Sequence, residues 1–217
     1  LEGGVKTHLF MNTLQFLKDK YQLKGNKAKY ELYCRRKVSF PRLFNQLGYK
    51  VGVEVGVGQG RFTKEIAIQC PDMKIYGVDA WKLHFGLTHH ETQDDMEHSY
   101  DTAKWRLAPY KNIELTRGWS VDVVKEFEDN SLDFVYIDAA HSYKNVTEDI
   151  KVWSKKVRSG GLVMGHDYTD PIPDRKKGYY KEVYDVKHAV NDWVKKNKIK
   201  PLFIFVKDDP PSWFYVK

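Results

Sequence analysis

The sequence predicts a doubly wound α/β domain whose mostly parallel, seven-stranded sheet closes with an antiparallel hairpin at its C-terminal edge. Three observations predict it. Short β-branched runs alternate with segments of helical period, the pattern of repeated βα units. Several runs are apolar at nearly every position, as strands covered on both faces are. The last two runs are separated only by Lys207 to Ser212, too short a link for a parallel crossover.

Residues 12–21 and 40–47 read as helices ahead of the first strand. Val51 to Val57 is that strand, and it ends in glycines. Phe62, Ile66 and Cys70 follow at i, i+4 spacing, so a helix comes next. Lys74 to Asp79 and the weaker Ile113 to Leu115 are the second and third strands, and Leu132 to Asp138 is the fourth. Val146, Ile150, Trp153 and Val157 then mark one helix face. Gly161 to Gly165 is the fifth strand. Val183, Val186, Val190, Trp193 and Val194 mark another helix, with Trp153 and Trp193 expected in the core. Pro201 to Val206 and Trp213 to Val216 form the hairpin. The long connections, 82–110 and 169–181, leave the C-terminal ends of strands, where open α/β sheets place ligand contacts.

Composition narrows the function. A chain of 217 residues with 41% hydrophobic and 14% aromatic residues can bury a full core, which excludes wholesale disorder. No stretch reaches the roughly 20 apolar residues that span a bilayer. Cys34 and Cys70 lack CxxC spacing, so a reducing, cytoplasmic setting is expected. The chain opens at Leu1 and its first Met is Met11, so it reads as a piece with more upstream. The net charge of +7 is concentrated at one end. Residues 1–50 carry 11 Lys and Arg against 3 Asp and Glu, whereas 51–217 carry 25 against 26. This division suggests a basic helical appendage, 1–37, on a nearly neutral domain, 38–217. The appendage is either a solvated basic face or a docking surface for an acidic partner.

Four motifs carry chemistry. Glu54-Val-Gly-Val-Gly-Gln-Gly60 joins a strand to a helix, and Gly56, Gly58 and Gly60 let a ligand approach the backbone. Its spacing is GxGxG, with Arg61 where a dinucleotide fingerprint has its third glycine. The acidic Glu54 disfavours a phosphate and favours a cationic amine. Asp79 ends the next strand about 20 residues on, where a carboxylate can accept both ribose hydroxyls. Together they indicate a nucleoside-bearing ligand. The plainer readings are an unliganded glycine turn and a helix-capping Asp. Asp138 closes the fourth strand with His141 three residues beyond, and Gly165-His166-Asp167-Tyr168 closes the fifth. Adjacent parallel strands would bring Asp138, His166 and Asp167 to one rim, where they can bind a divalent metal. The alternative is capping carboxylates beside a hydrogen-bonded His.

The ordered set EVGVGQG, YGVDAW, RGWS, LDFVYIDAAHSY and SGGLVMGHDY resembles the class I S-adenosylmethionine-dependent methyltransferases over residues 38–217. Within that class the chain is most similar to the branch around catechol O-methyltransferase and the bacterial sugar and macrolide O-methyltransferases. The resemblance implies a Rossmann-like sheet and methyl transfer from S-adenosylmethionine to a hydroxyl of a small-molecule acceptor. It implies that Glu54, Gly56 and Gly58 surround the methionine part of the cofactor, and that Asp79 holds the ribose. Trp81 would lie beside the adenosine, and Trp119 and Ser120 would border the adenine. Asp138 matches a metal-binding carboxylate and is counted with the cofactor residues too. His166 and Asp167 stand where that site is completed, with Mg²⁺ or another divalent cation as the implied ion. His141 stands where those enzymes carry a Lys as general base. An imidazole of ordinary pKa near 6.5 suits that role at neutral pH. The His-Asp pair departs from the Asp-Asn of the catechol enzyme and leaves metal dependence open.

Two other functions compete. A nicotinamide-dependent oxidoreductase is disfavoured by Glu54 and by Arg61. A non-catalytic module could use the basic N-terminal segment, but DAAH stands where nucleic-acid methyltransferases of this fold carry an (N/D)PPY-like motif, which argues against nucleic acid as partner. A helical appendage of this kind often packs across a homodimer. His89, His90 and His98 match no zinc spacing and read as surface or lid residues. Arg175 to Lys177 with Gly178 to Tyr180 read as a lid or a grip on an anionic or ring-bearing substrate.

Overall fold

The computed structural model describes residues 12–83, 92–170 and 184–217. The chain order is α1 (Thr13–Lys20), β1 (Lys29–Leu32), α2 (Arg36–Gln46), β2 (Val51–Val55), α3 (Arg61–Gln69), β3 (Lys74–Asp79), α4 (Gln93–Leu107), β4 (Ile113–Arg117), α5 (Ser120–Val123), β5 (Leu132–Ile137), α6 (Tyr143–Lys156), β6 (Val157–Gly165), α7 (Val186–Lys196), β7 (Leu202–Phe205) and β8 (Ser212–Val216). They build one eight-stranded sheet in the order β1-β7-β8-β6-β5-β2-β3-β4. Only β8 runs antiparallel to its neighbours, β6 and β7.

β5 is buried along its whole length, as its apolar run predicts. Alternation then sorts its side chains between two cores. Phe134 and Tyr136 enter an aromatic core beneath α2 and α3. There Phe44 stacks on Phe134 at 4.0 Å between ring centroids, and Phe40 on Phe205 at 4.5 Å. Val135 and Ile137 enter an aliphatic core beneath α6 and α7, where Val146, Ile150, Trp153 and Val190 meet them. Gly52 on β2 is small because a Cβ there would stand 2.0 Å from the Phe134 ring.

Helix starts follow their caps. Asn12 accepts from the Gln15 N–H and Ser142 from the Asn145 N–H, and Thr92 with Asp95 forms a reciprocal capping box. Helix α4 lies within the stretch 82–110 that reads as a connection. His98 lies on α4 and is exposed, while His89, His90 and 175–180 lie outside the described residues.

The sheet departs from expectation at one edge. The predicted count of seven strands omits β1, which pairs in parallel with β7 from Lys29↔Leu202 to Leu32↔Phe205. The hairpin is therefore not the edge of the sheet. Only Tyr30 and Leu32 of β1 are buried, while Lys29 and Glu31 face out, so a half-covered strand of four residues hides inside a basic stretch. The stretch read as an appendage is built into the domain over its described part. Leu17 of α1 is fully buried, and Thr13 donates to the Gly160 carbonyl at 2.6 Å.

Candidate functional site

The C-terminal ends of β2, β3 and β5 and the turn after β4 surround a cavity of about 820 Å³. Of the residues singled out from sequence, Glu54, Gly56, Gly58, Asp79, Trp81, Trp119, Ser120 and Asp138 line it. Gly60 does not. It starts α3 with φ +74°, over the Leu107 side chain. His141, His166 and Asp167 meet in a much smaller neighbouring recess, which shares Asp138 with the large cavity.

Gly56 shapes the floor. Its φ is +91°, and a Cβ there would lie 2.1 Å from the Asp138 carbonyl oxygen. The tight β2 turn and the end of β5 are thus pressed together in a way that only glycine permits. Glu54, just before it, is 2% exposed. Its carboxylate accepts from the Thr63 hydroxyl. Burial pushes its pKa up to about 8, against the Thr63 hydrogen bond, which lowers it. A carboxylate so desolvated favours an incoming cation.

Asp79 accepts from the Gly58 N–H at 2.9 Å and from the Trp81 N–H at 2.8 Å. Trp81 Nε1 donates to the Gly58 carbonyl at 2.9 Å. The acidic strand end is therefore fastened to the glycine turn before any ligand arrives. Trp81 is 2% exposed, has φ +44° and packs on Tyr100, so it serves as a wall of the cavity and as a core residue at once.

Trp119 caps α5 and is 40% exposed. Ser120 is engaged on both sides. Trp153 Nε1 donates to its oxygen at 3.0 Å, and its hydroxyl donates to Asp149 of α6. Burial pushes the Asp149 pKa up to about 6, against the lowering effect of the Ser120 hydrogen bond. Sequence reasoning missed Asp149. The signal was present: a carboxylate at i+3 between Val146 and Trp153, on the apolar face of α6.

Arg36 was missed as well, because it sits in a run of basic residues. Its Nη1 donates to the Tyr136 hydroxyl at 2.8 Å and to Asp138 Oδ2 at 3.0 Å. The guanidinium also lies over the Phe62 ring, 5.3 Å from its centroid. Its backbone N–H donates to Asp208 in the β7–β8 turn.

On the other side of Asp138, His141 Nε2 is 2.7 Å from Asp167 Oδ2 and 3.8 Å from Asp138 Oδ1. His166 Nδ1 is 3.2 Å from Asp167 and 3.7 Å from Asp138. Asp167 has φ +56°, a conformation Asp tolerates better than most residues. The Tyr184 ring stacks on His141 at 4.9 Å. Burial pulls the His141 pKa down, but hydrogen bonds to Asp138 and Asp167 outweigh it and push it up to about 9. This corrects the expectation of an unperturbed imidazole. The carboxylates that make His141 a stronger base also keep it protonated at neutral pH. Asp167 is desolvated, yet His141 and His166 hold it well below the usual carboxylate range.

Asp138, His141 and Asp167 each offer a ligand atom, all within 4.8 Å of one another. His166 of the expected trio is adjacent but outside this compact group. The residues fit a divalent cation, and the mixed oxygen and nitrogen donors suit manganese, iron or zinc better than Mg²⁺, which prefers oxygen.

Comparison with known proteins agrees with this geometry. A protein-family model described as a methyltransferase domain matches residues 53–168. No curated protein matches the chain. Among solved structures, one provisionally assigned as a caffeoyl-CoA O-methyltransferase from Staphylococcus aureus is similar with a TM-score of 0.65 at 15% identity, covering 94% of this chain and 90% of that one. An O-methyltransferase from Bacillus cereus, solved with S-adenosylhomocysteine, gives 0.59 at 14% identity over 94% and 89%. The O-methyltransferase TomG from Streptomyces achromogenes, involved in tomaymycin synthesis and solved with S-adenosylmethionine, gives 0.57 at 13% over 95% and 90%. At such identities these likenesses establish the fold. The family match spans more than half of the chain and includes the glycine turn, Asp79, Asp138 and Asp167, and with it this chain belongs to the S-adenosylmethionine-dependent methyltransferase family.

Proposed function

We propose that the chain transfers a methyl group from S-adenosylmethionine to a hydroxyl oxygen of a small-molecule acceptor, such as a sugar, polyketide or phenol. The observation that carries this reading is the order of groups around one cavity, buried Glu54 at β2, Asp79 at β3, Trp119 just beyond β4 and Asp138 just beyond β5, with His141 and Asp167 beside Asp138 in the adjoining recess. Glu54 receives the cofactor's amino group, and Asp79 receives its ribose hydroxyls. Gly56 and Gly58 let the methionine chain lie against the backbone, and Trp81 and Trp119 close around the adenosine.

The reaction asks for alignment, exclusion of water and one proton transfer. The acceptor oxygen forms a bond to the methyl carbon while the C–S bond breaks and its electron pair returns to sulfur. The hydroxyl proton passes to Nδ1 of His141 in molecules whose ring is neutral, a fraction that grows as pH rises towards 9, while Nε2 keeps its proton on Asp167. Asp167 orients that imidazole and stabilises its cationic form. Asp138, held by Arg36, faces both the cofactor cavity and the imidazole. A divalent cation held by Asp138, Asp167 and a His would gather acceptor oxygens and lower the hydroxyl pKa. If His141 is the proton acceptor, His141→Ala lowers turnover at least 100-fold across pH 6 to 9 while S-adenosylhomocysteine still binds. Wild-type turnover in that variant would remove the role. The described helices include none long and apolar enough to cross a membrane.

A further inference from the structure

A cation already stands at the Asp138 cluster, and it belongs to the chain itself. Arg36 is the first residue of α2, where the partial positive charge of a helix N-terminus disfavours a basic side chain. Its neighbours Arg35 and Lys37 are exposed, yet Arg36 turns inward and lines the large cavity. Three contacts hold it there without help from Asp138. Its backbone N–H donates to Asp208. Nη1 donates at 2.8 Å to the hydroxyl of the fully buried Tyr136, which also meets Ser212 Oγ at 3.3 Å. The guanidinium lies over the Phe62 ring, 5.3 Å from its centroid. A guanidinium keeps its charge throughout the working pH range of a protein.

The two oxygens of Asp138 are thereby divided. Oδ2 accepts from Arg36 at 3.0 Å. Oδ1 faces the imidazoles, 3.8 Å from His141 Nε2 and 3.7 Å from His166 Nδ1. A divalent ion held by Asp138, His141 and Asp167 would share one carboxylate with a fixed positive charge. Both side chains of the Arg36–Asp138 pair are about four-fifths covered, 19% and 20% exposed. Like charges so placed oppose each other far more than they would in open water. We propose that Arg36 is the resident cation of this cluster: it occupies one oxygen of Asp138 and keeps the affinity for a divalent ion low. The inference rests on the reading of Asp138, His141 and Asp167 as a group able to hold a metal. It gives Arg36 a selective task beyond packing, since its charge decides which cation serves Asp138.

Titration of the full chain with Mn²⁺ alone, with the free ion followed by electron paramagnetic resonance, tests the proposal without a turnover assay. Arg36→Gln keeps an amide that can still donate to Tyr136 but removes the charge. It should bind Mn²⁺ roughly tenfold or more tighter than wild type. Arg36→Met, also neutral, should show the same gain and provides the readout should Arg36→Gln fold poorly. Arg36→Lys keeps the charge and should stay within about threefold of wild type. A role in packing alone would not separate the charged variant from the neutral ones. Adding Asp167→Asn to Arg36→Gln should abolish the gain, which places the ion at the cluster. Unchanged or weaker Mn²⁺ binding in the neutral variants would overturn the proposal, as would a gain that Arg36→Lys shares or that survives Asp167→Asn. If no form bound Mn²⁺, the proposal would fall together with the metal reading of the cluster. S-adenosylhomocysteine binding in the same samples would leave the methyl-transfer reading standing.

Discussion

Glu54→Gln should make the empty protein more stable and the cofactor weaker, and the size of the first effect depends on pH. The carboxyl titrates at about 8 in the folded chain against an ordinary 4.5. Its folded pKa is raised, so the folded state holds the proton more tightly. Its contribution to stability is complete below about pH 4.5 and is lost as pH rises towards 8. Each pH unit across that window costs about 1.4 kcal/mol. By pH 7 the loss is on the order of 3 kcal/mol. The amide has the same shape, cannot ionise, and its oxygen can still accept from Thr63 Oγ1. The variant should therefore melt higher than wild type by roughly 6–12 °C near pH 7, taking about 2–4 °C per kcal/mol for a domain of this size. Near pH 4.5 the two should melt together. Differential scanning fluorimetry from pH 4.5 to 9 reads this directly. At pH 9, where the carboxyl has ionised, saturating S-adenosylhomocysteine should then raise wild type by more than the variant, because the ligand's ammonium pairs with a buried charge that the amide lacks. A melting difference independent of pH would refute the burial argument. An equal ligand shift in both proteins would refute the assignment of the amine to Glu54.

Two further outcomes follow from the N-terminal segment. Arg36→Met removes the guanidinium between Tyr136 and Asp138 and leaves a largely buried carboxylate without its cation, which should cost about 1–3 kcal/mol in a urea titration. Full stability in that variant would show that Asp138 is sufficiently served by the imidazoles. Deleting residues 1–37 should lower the melting temperature rather than cleanly remove acceptor binding, since Leu17, Tyr30 and Leu32 are buried and β1 is hydrogen-bonded to β7. A truncated chain that melts like the parent would restore the view of a separable appendage.

The parts of the fold that repeat a strong pattern were legible in the sequence. β5 is apolar at every position but Asp133, the pattern of an inner strand. The α6 stripe at Val146, Ile150 and Trp153 fell where its period placed it. β1 was not legible, because two outward charges and two inward apolar residues make a very short message, and its partner β7 is over 160 residues away. The site divides in the same way. Glu54 and Asp79 announced themselves by standing at strand ends beside glycines. Arg36 and Asp149 reach the cavity from helices, and only the folded chain shows which helical residues face a cavity. The protonation of His141 was also beyond a linear reading, for it depends on Asp138 and Asp167 from different strands closing on one ring.

The lone reversed strand has a consequence for how the rim is built. Because β8 descends beside β6, the short turn 206–211 stands at the same end of the sheet as the reactive groups. From there the Pro211 carbonyl accepts from the Tyr168 N–H at 3.0 Å and Asp208 takes the Arg36 N–H, while Trp213 Nε1, at the start of β8, donates to the His166 carbonyl at 3.1 Å. A sheet of parallel strands alone would need a helix-length excursion to place chain there. This one uses a six-residue brace between β7 and β8, which ties the start of α2 to the segment that follows β6. An early helix and the last hairpin of the described fold therefore act as a clasp beside the Asp138–His141–Asp167 cluster.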